Sequence, residues 1–339
     1  MARIVVVGSS NTDMILKLDR IPRPGETILG GEFVTAAGGK GANQAVAAAR
    51  AGGSVTFVAR VGQDMFGEQA IAGLIENGVN VDHVQFDSSP SGVALIFVGE
   101  DAENSIGVAS GANANVSPAD VRKAKHAFAA ADVVIMQLET PLDTVHAAAE
   151  LADGAGALVI LNPAPAQPLP DKLLKKISIL TPNETEAELL TGIQVDNEET
   201  CNRAADSLLR KGVQTVIITL GSRGAFVATS TSRQHVPGFE VKQVDTTAAG
   251  DAFNGALAVA LAEGMSMFDA VCFANAAGAM AVTRMGAQPS APNRDEIDRL
   301  LLTNVESIAA LDGVAGIHGN GLKMHVRSRD RAGVPHVPN

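Results

Sequence analysis

The stretch Val244-Asp245-Thr246-Thr247-Ala248-Ala249-Gly250-Asp251-Ala252-Phe253-Asn254-Gly255 sets how the rest of the chain is read. An extended Gln243-Val244 enters a turn of small residues, after which Phe253, Ala256, Leu257, Ala260 and Leu261 fall at helical spacings. The stretch is therefore a helix N-terminus. Its first backbone N–H groups lack partners inside the helix, and the macrodipole adds partial positive charge, so the turn suits a phosphate or a developing oxyanion. Ala248, Ala249 and Gly250 leave close approach open and form the candidate anion hole. Asp251 stands at its lip. A carboxylate in a first turn is also an ordinary helix stabiliser. Beside a hole for an anion, it suits phosphoryl transfer to a hydroxyl whose proton the carboxylate receives.

Upstream of this helix the chain alternates. Strand-like runs at 132–138, 157–161, 177–181, 213–219 and 225–228 are separated by helical stretches near 118–130, 142–153, 184–191 and 198–211, and a later helix spans 268–283. Such alternation implies an α/β fold, a mainly parallel sheet with helices on both faces, whose ligands bind beyond the strand C-termini. Residues 3–8 read as a buried strand, followed by a polar mouth at 9–13; residues 54–61, 66–78 and 81–86 continue as strand, helix and strand. The segments at about 14–37 and 93–108 have another texture: short, partly alternating and rich in turns, as expected of hairpin strands in a small separate sheet.

Polar residues gather where the alternation places them, and each has a plain structural reading beside the chemical one. Asn11 and Asp13 follow the first strand, where either residue type also closes turns. Gly38-Gly39-Lys40-Gly41-Ala42-Asn43-Gln44-Ala45 opens an alanine-rich helix; it is no Walker loop, because Gly41 follows the lysine where Ser or Thr is required. Glu139 ends the strand at 132–138 and could be a turn acid. Asn183, Glu184 and Glu186 open a helix after Pro182, where glutamates routinely stabilise the first turn. Thr219-Leu220-Gly221-Ser222-Arg223-Gly224 joins two strands as a glycine turn.

Composition narrows the function classes. A chain of 339 residues with 46% hydrophobic content buries a large core, and a formal net charge of −11 disfavours nucleic acid or an anionic membrane as main partner. Cys201 and Cys272 are the two cysteines, each inside a predicted helix and read as reduced packing residues. With no signal-peptide pattern and no spanning apolar run, a soluble, cytoplasmic protein is expected. Residues 313–339 hold four Lys/Arg against one Asp, with five glycines and no sustained apolar period, so 306–339 read as a flexible tail; His318, His325 and His336 have no metal-ligand spacing.

Val244–Gly255 and the GGKGANQA stretch at 38–45 closely resemble two motifs of the ribokinase family of sugar and nucleoside kinases, and the resemblance runs from about residue 3 to about 303. It implies a kinase domain over 1–305, with the two turn-rich segments as a β-sheet lid that pairs a second subunit, giving a homodimer. The implied reaction is phosphorylation of the 5-hydroxyl of D-ribose by ATP, with Asp251 as base. Asn11, Asp13, Gly39, Lys40, Gly41, Ala42, Asn43, Glu139 and Asp251 would hold the sugar. Asn183, the segment Thr219, Leu220, Gly221, Ser222, Arg223 and Gly224, then Gly250, Asp251 and Asn275 would hold ATP. Glu186 would organise Mg²⁺ through water, and Asp245, Thr247, Ala281, Arg284, Gly286 and Ser290 would bind K⁺ as activating cation. Another acceptor, such as deoxyribose or a nucleoside, and a sugar-binding regulator without catalysis are the alternatives. A dinucleotide-dependent oxidoreductase is disfavoured, since the first strand lacks G-x-G-x-x-G.

Overall fold

Branched apolar runs with polar residues at their tips become the strands of one large sheet. The computed structural model describes residues 1–100 and 103–303, and residues 1–301 make one compact unit. In chain order the elements are β1 (Arg3–Val7), β2 (Asn11–Lys17), β3 (Glu32–Gly38), α1 (Lys40–Arg50), β4 (Ser54–Gly62), α2 (Met65–Glu76), β5 (Asn80–Asp87), β6 (Gly92–Val98) and β7 (Asn104–Ala109). They continue as α3 (Pro118–Lys123), α4 (Lys125–Ala130), β8 (Val133–Met136), α5 (Leu142–Ala155), β9 (Leu158–Leu161), α6 (Asp171–Leu174), β10 (Ile179–Leu180), α7 (Glu184–Thr191) and α8 (Glu198–Arg210). Then come β11 (Thr215–Thr219), β12 (Ala225–Ala228), β13 (Arg233–Val236), α9 (Ala249–Ala262) and α10 (Met267–Ala281).

The large sheet has the order β13-β12-β11-β10-β9-β8-β1-β4-β5, with every pair parallel except β11–β12 and β12–β13, which are antiparallel. Alternation along β1 shows why it is central: Ile4 and Val6 enter the core shared with α1, α9 and α10, while Val5 and Val7 enter the opposite core shared with α5 and α8. Burial on both faces explains why β8, β9 and residues 4–7 of β1 read as unbroken apolar runs. Strand order reverses between β1 and β8. A crevice opens at such a switch point, just past the strand C-termini, and Ser9 and Glu139 lie there.

A second sheet has the order β3-β2-β6-β7, with β2 and β6 parallel and the other pairs antiparallel. Phe33, Leu95, Ile106 and Val108 are more than half exposed or nearly so on this sheet. No helix among the described residues is long and apolar enough to cross a membrane.

Several sequence expectations need correction. Asn11 and Asp13 are not in a loop mouth but start β2, so the small sheet itself carries them to the site. Thr27–Gly31 forms no strand; Gly25, Gly30 and Gly31 have φ of 81°, 109° and 98°, which breaks extended pairing until Glu32. The helix read over 118–130 is two helices with a break at Ala124. The edge strand β13 was missed because Arg233-Gln234-His235-Val236 has almost no apolar signal and three of its residues are exposed. The tail expected at 306–339 lies outside the described residues.

Candidate active site

Helix α1 begins at Gly39, whose φ of 88° and missing Cβ let the chain pass 2.7 Å, measured from a Cβ position, from the Asn11 amide nitrogen. At Gly41 a Cβ would fall 2.5 Å from the Ser9 nitrogen, so this glycine is needed for backbone to meet backbone. Glu139 completes the helix start: its Oε2 accepts from Lys40 N at 3.0 Å and from the Ser9 hydroxyl, placing a negative charge at a helix N-terminus. The turn-acid reading of Glu139 and its place beside the sugar motif are thus one arrangement.

Helix α9 meets α1 at Gly255, where a Cβ would stand 2.7 Å from the Ala47 Cβ and 2.8 Å from the Gln44 oxygen. That approach brings Asp251, in the first turn of α9, onto the next two side chains of α1. Asn43 Nδ2 donates to Asp251 Oδ2 at 3.0 Å, and Gln44 Nε2 donates to Asp251 Oδ1 at 2.9 Å. Asp251 is 6% exposed. Burial pushes its carboxyl upward, Lys40 and the Asn43 and Gln44 amides oppose this, and Glu139 adds to the rise. Asp13 shares the same field: burial, then Glu139 and Asp251, push its carboxyl up to about 6. Asp251, Asp13 and Glu139, with Lys40 nearby, give this basin a net negative charge.

Asn11 is set from behind. Asn113 Nδ2 donates to Asn11 Oδ1 at 2.7 Å, while Asn113 Oδ1 accepts from Ser10 N at 2.9 Å. The Asn11 oxygen is thereby occupied, and its NH₂ remains as donor toward the crevice. A cavity of about 350 Å³ adjoins this point, lined among others by Asn11, Ser110, Asn113, Glu139 and Thr140. Buried Asn43 Oδ1 and Thr140 Oγ1 have no hydrogen-bond partner among the described residues.

The anion hole has a feature that sequence did not show. Ala248, the N-cap of α9, has φ 59° and ψ 14°, the one non-glycine residue with positive φ among those described. The left-handed region is disfavoured for alanine, and such outliers persist where the surroundings impose them. Here the Ala249 amide donates to the Thr246 oxygen at 3.3 Å, closing the turn, and Gly250 is exposed and open.

Past β10, Asn183 Oδ1 accepts from Glu186 N at 2.7 Å and Glu186 Oε2 accepts from Asn183 N at 2.9 Å, a reciprocal capping box. Glu186 Oε1 takes no hydrogen bond among the described residues. Burial raises the Glu186 carboxyl; the Asn183 amide and Lys40 lower it, and Asp251 raises it, so Glu186 faces the same basin. In the glycine turn, Leu220 N donates to Gly224 O, Arg223 N to Leu220 O and Gly224 N to Gly221 O, leaving the exposed Gly221 and Ser222 amides for a ligand. Thr219 pairs beside Asn183 through a parallel bridge, and Arg223 forms an ion pair with Glu184. Asn275 instead donates to the Val236 and Pro237 oxygens at 3.2 and 3.1 Å, which ties α10 to β13.

The six expected cation ligands fall in two joined segments. Asp245 Oδ1 accepts from Thr247 N and Oγ1, and Asp245 Oδ2 accepts from Gly286 N at 2.8 Å. The Arg284 guanidinium turns away to Glu296, the Ala281 oxygen accepts from Arg284 N, and the Ser290 hydroxyl donates to Ala287 O. Sequence reasoning assigned no site role to Asn113, Gln137 or Asn162. Only the Gly, Ala and Asn run at 111–115 offered a signal.

The model of the family described as pfkB family carbohydrate kinase matches residues 1–294. A ribokinase of Haemophilus influenzae is 46% identical over 294 residues, 86% of this chain and 96% of that protein. A deoxyribokinase of Salmonella typhi is 39% identical over 307 residues, covering 89% of this chain and 99% of that one. The structure of an Arabidopsis thaliana ribokinase complexed with ribose and ATP aligns with a TM-score of 0.83 at 36% identity, over 89% of this chain and 99% of that one.

Proposed function

The chain belongs to the pfkB family of carbohydrate kinases, and on that premise we propose that it transfers the γ-phosphoryl group of ATP to the 5-hydroxyl of D-ribose, giving D-ribose 5-phosphate and ADP. One observation carries the reading. A buried carboxylate, Asp251, is held by Asn43 and Gln44 where the glycine-rich sugar motif meets the small-residue helix N-terminus. The similarity to a ribokinase complexed with ribose and ATP supports both substrates.

Asn11, Asp13, Gly39, Lys40, Gly41, Ala42, Asn43 and Glu139 hold the sugar so that its 5-hydroxyl faces Asp251. An ordinary carboxylate does not deprotonate an alcohol outright. Phosphoryl transfer is loose, so the proton moves late, as the new P–O bond acidifies the hydroxyl, and orienting that hydroxyl is much of the aspartate's work. The Ala248, Ala249 and Gly250 amides stabilise charge on the transferring group. Asn183, the 219–224 turn, Gly250, Asp251 and Asn275 take the nucleotide.

Mg²⁺, bound with the nucleotide, offsets phosphate charge. Glu186 fits as its water-mediated ligand, since its Oε1 is free beside the basin and Mg²⁺ needs only one or two carboxylates besides phosphate and water. Asp245 and Thr247, with Ala281, Arg284, Gly286 and Ser290, fit a K⁺ site through oxygen ligands; Asp245 already joins the two segments, and Arg284 can offer only its carbonyl. Residues 1–305 act as the kinase domain, the small sheet as lid, and a second copy covers the exposed Phe33 and Leu95, which the strand register puts on one face of that sheet, in a homodimer, because a bare apolar sheet face is an aggregation risk. The free cysteines suit a cytoplasmic protein.

A coupled assay of ADP release with Mg²⁺-ATP and D-ribose, 2-deoxyribose, fructose or adenosine, each with and without K⁺, tests the reading. Ribose turnover that rises with K⁺ is expected. Preference for 2-deoxyribose would move the chain toward its deoxyribokinase relative, and sugar binding without turnover would make it a regulator.

A further inference from the structure

Gln44 is completely buried, yet nothing above gives it a contact with sugar or nucleotide. Its Nε2 donates to Asp251 Oδ1 at 2.9 Å and to Asn162 Oδ1 at 3.0 Å, and its Oε1 accepts from Gln137 Nε2 at 2.6 Å. A carboxylate only accepts, so the end of the Gln44 amide that faces Asp251 must be its NH₂. That choice propagates. The Gln44 carbonyl then faces Gln137, whose NH₂ turns to meet it. Gln137 Oε1 is left buried without a hydrogen-bond partner among the described residues, against the backbone of Gly8. A buried acceptor with no donor is costly. It sits at the far end of an amide chain whose polarity is dictated by the charge on Asp251. Asn162 is fixed independently, since its Nδ2 donates to Thr181 O at 3.2 Å and so presents Oδ1 to Gln44.

We infer that Gln44 is a positioning residue for phosphoryl transfer, one that pins Oδ1 of Asp251 so that the acceptor proton is delivered to Oδ2, the oxygen it shares with Asn43. This rests on the ribose kinase reading. The step balances as follows: the sugar O–H bond breaks and its proton passes to Oδ2, the sugar oxygen bonds to the γ-phosphorus, and the bridging P–O bond breaks with its electron pair leaving on ADP. Gln44 also favours the ionised carboxylate in a buried place. Of the charged groups that face Asp251, Lys40 works in the same direction, while Glu139, Asp13 and Glu186 work against it.

Gln44→Met keeps side-chain length and removes both donors. With saturating Mg²⁺-ATP and ribose, kcat should fall about 10- to 100-fold, the scale of a lost hydrogen bond to a charged group, and the acidic limb of the kcat–pH profile should move to higher pH. KM for ribose and ATP should stay within about threefold, since the substrate contacts remain. A packing role would lower kcat or Tm without moving the limb, and that result overturns the inference, as does wild-type behaviour. Gln137→Met decides the matter if Gln44→Met does not fold. It leaves the Gln44 donors in place but releases its carbonyl, so the limb should move the same way by less; an unmoved limb overturns the inference. Wild-type protein that phosphorylates no sugar would remove the kinase reading underneath it, a result read before any variant is made.

Discussion

On the acceptor side of the cleft as proposed above, Asn11, Asn43, Gln44 and Asp251 are buried, and each is held by a side chain from a distant part of the sequence. On the donor side, Asn183, Gly221, Ser222 and Arg223 are exposed and satisfied within their own loops or by a surface ion pair. The difference separates two ways of recognising a ligand. A sugar is distinguished by where its hydroxyls point, which demands side chains already fixed in orientation before it arrives. A triphosphate is mostly charge, and helix N-termini and turn amides supply that with little dependence on side-chain identity.

The contrast can be tested by substitutions graded across it. Asp251→Asn attacks its centre and should lower kcat by about 10²- to 10⁴-fold in the ADP-release assay, the scale of a lost general base. Turnover near that of the wild type would take the proton from some other group. Asp13→Asn should follow, with kcat/KM for the sugar reduced roughly 10-fold or more and KM for ATP unchanged, because charge-assisted acceptance by a fixed carboxylate is lost.

Asp13 also makes a pH prediction. Its folded-state pKa is raised to about 6, above the ordinary carboxylate value, so any stability tied to its protonated form is present below the unfolded value and lost as pH rises through about 6. Asp13→Asn should therefore melt higher than the wild type above that pH, with the gap closing as pH falls. In the wild type, sugar KM should rise below about 6 as the acceptor protonates, and the variant should lack that limb. A variant that melts no higher at neutral pH would contradict the like-charge basin. Arg223→Ala, on the donor side, should have the smallest effect, under about fivefold in KM for ATP, since an exposed ion pair contributes only about 0–1 kcal/mol. An Arg223 effect as large as that of Asp13 would erase the contrast.

The same division governs what could be read from sequence. Asp251 and the small residues before it were legible because they form one contiguous helix start, as was the 38–45 motif. The parallel sheet was legible because strands buried on both faces are apolar along their whole length. Asn113, Gln137 and Asn162 were not legible, since each acts on a residue far away in the chain and an isolated buried amide leaves no periodic trace. The capping box at Asn183 and Glu186 shows the opposite case: the plain helix-start reading is realised in full, and Glu186 still shares the field of Lys40 and Asp251. The commitment of Asn275 to two backbone carbonyls was hidden because nothing in the helix pattern indicates its partner.

The contacts at Gly8, Gly41 and Gly255 carry a consequence for how the chain tolerates change. At each of them even an added methyl would meet a neighbouring atom at 2.7 Å or less. In a saturation library selected for growth on a sugar, these positions should be as empty of substitutions as Asp251 itself, although none of them exchanges a proton. A map of intolerance would thus draw a line of glycines from the end of the first strand through one helix and into another. It would trace the places where two lengths of main chain must almost touch for a carboxylate and an amide to find each other.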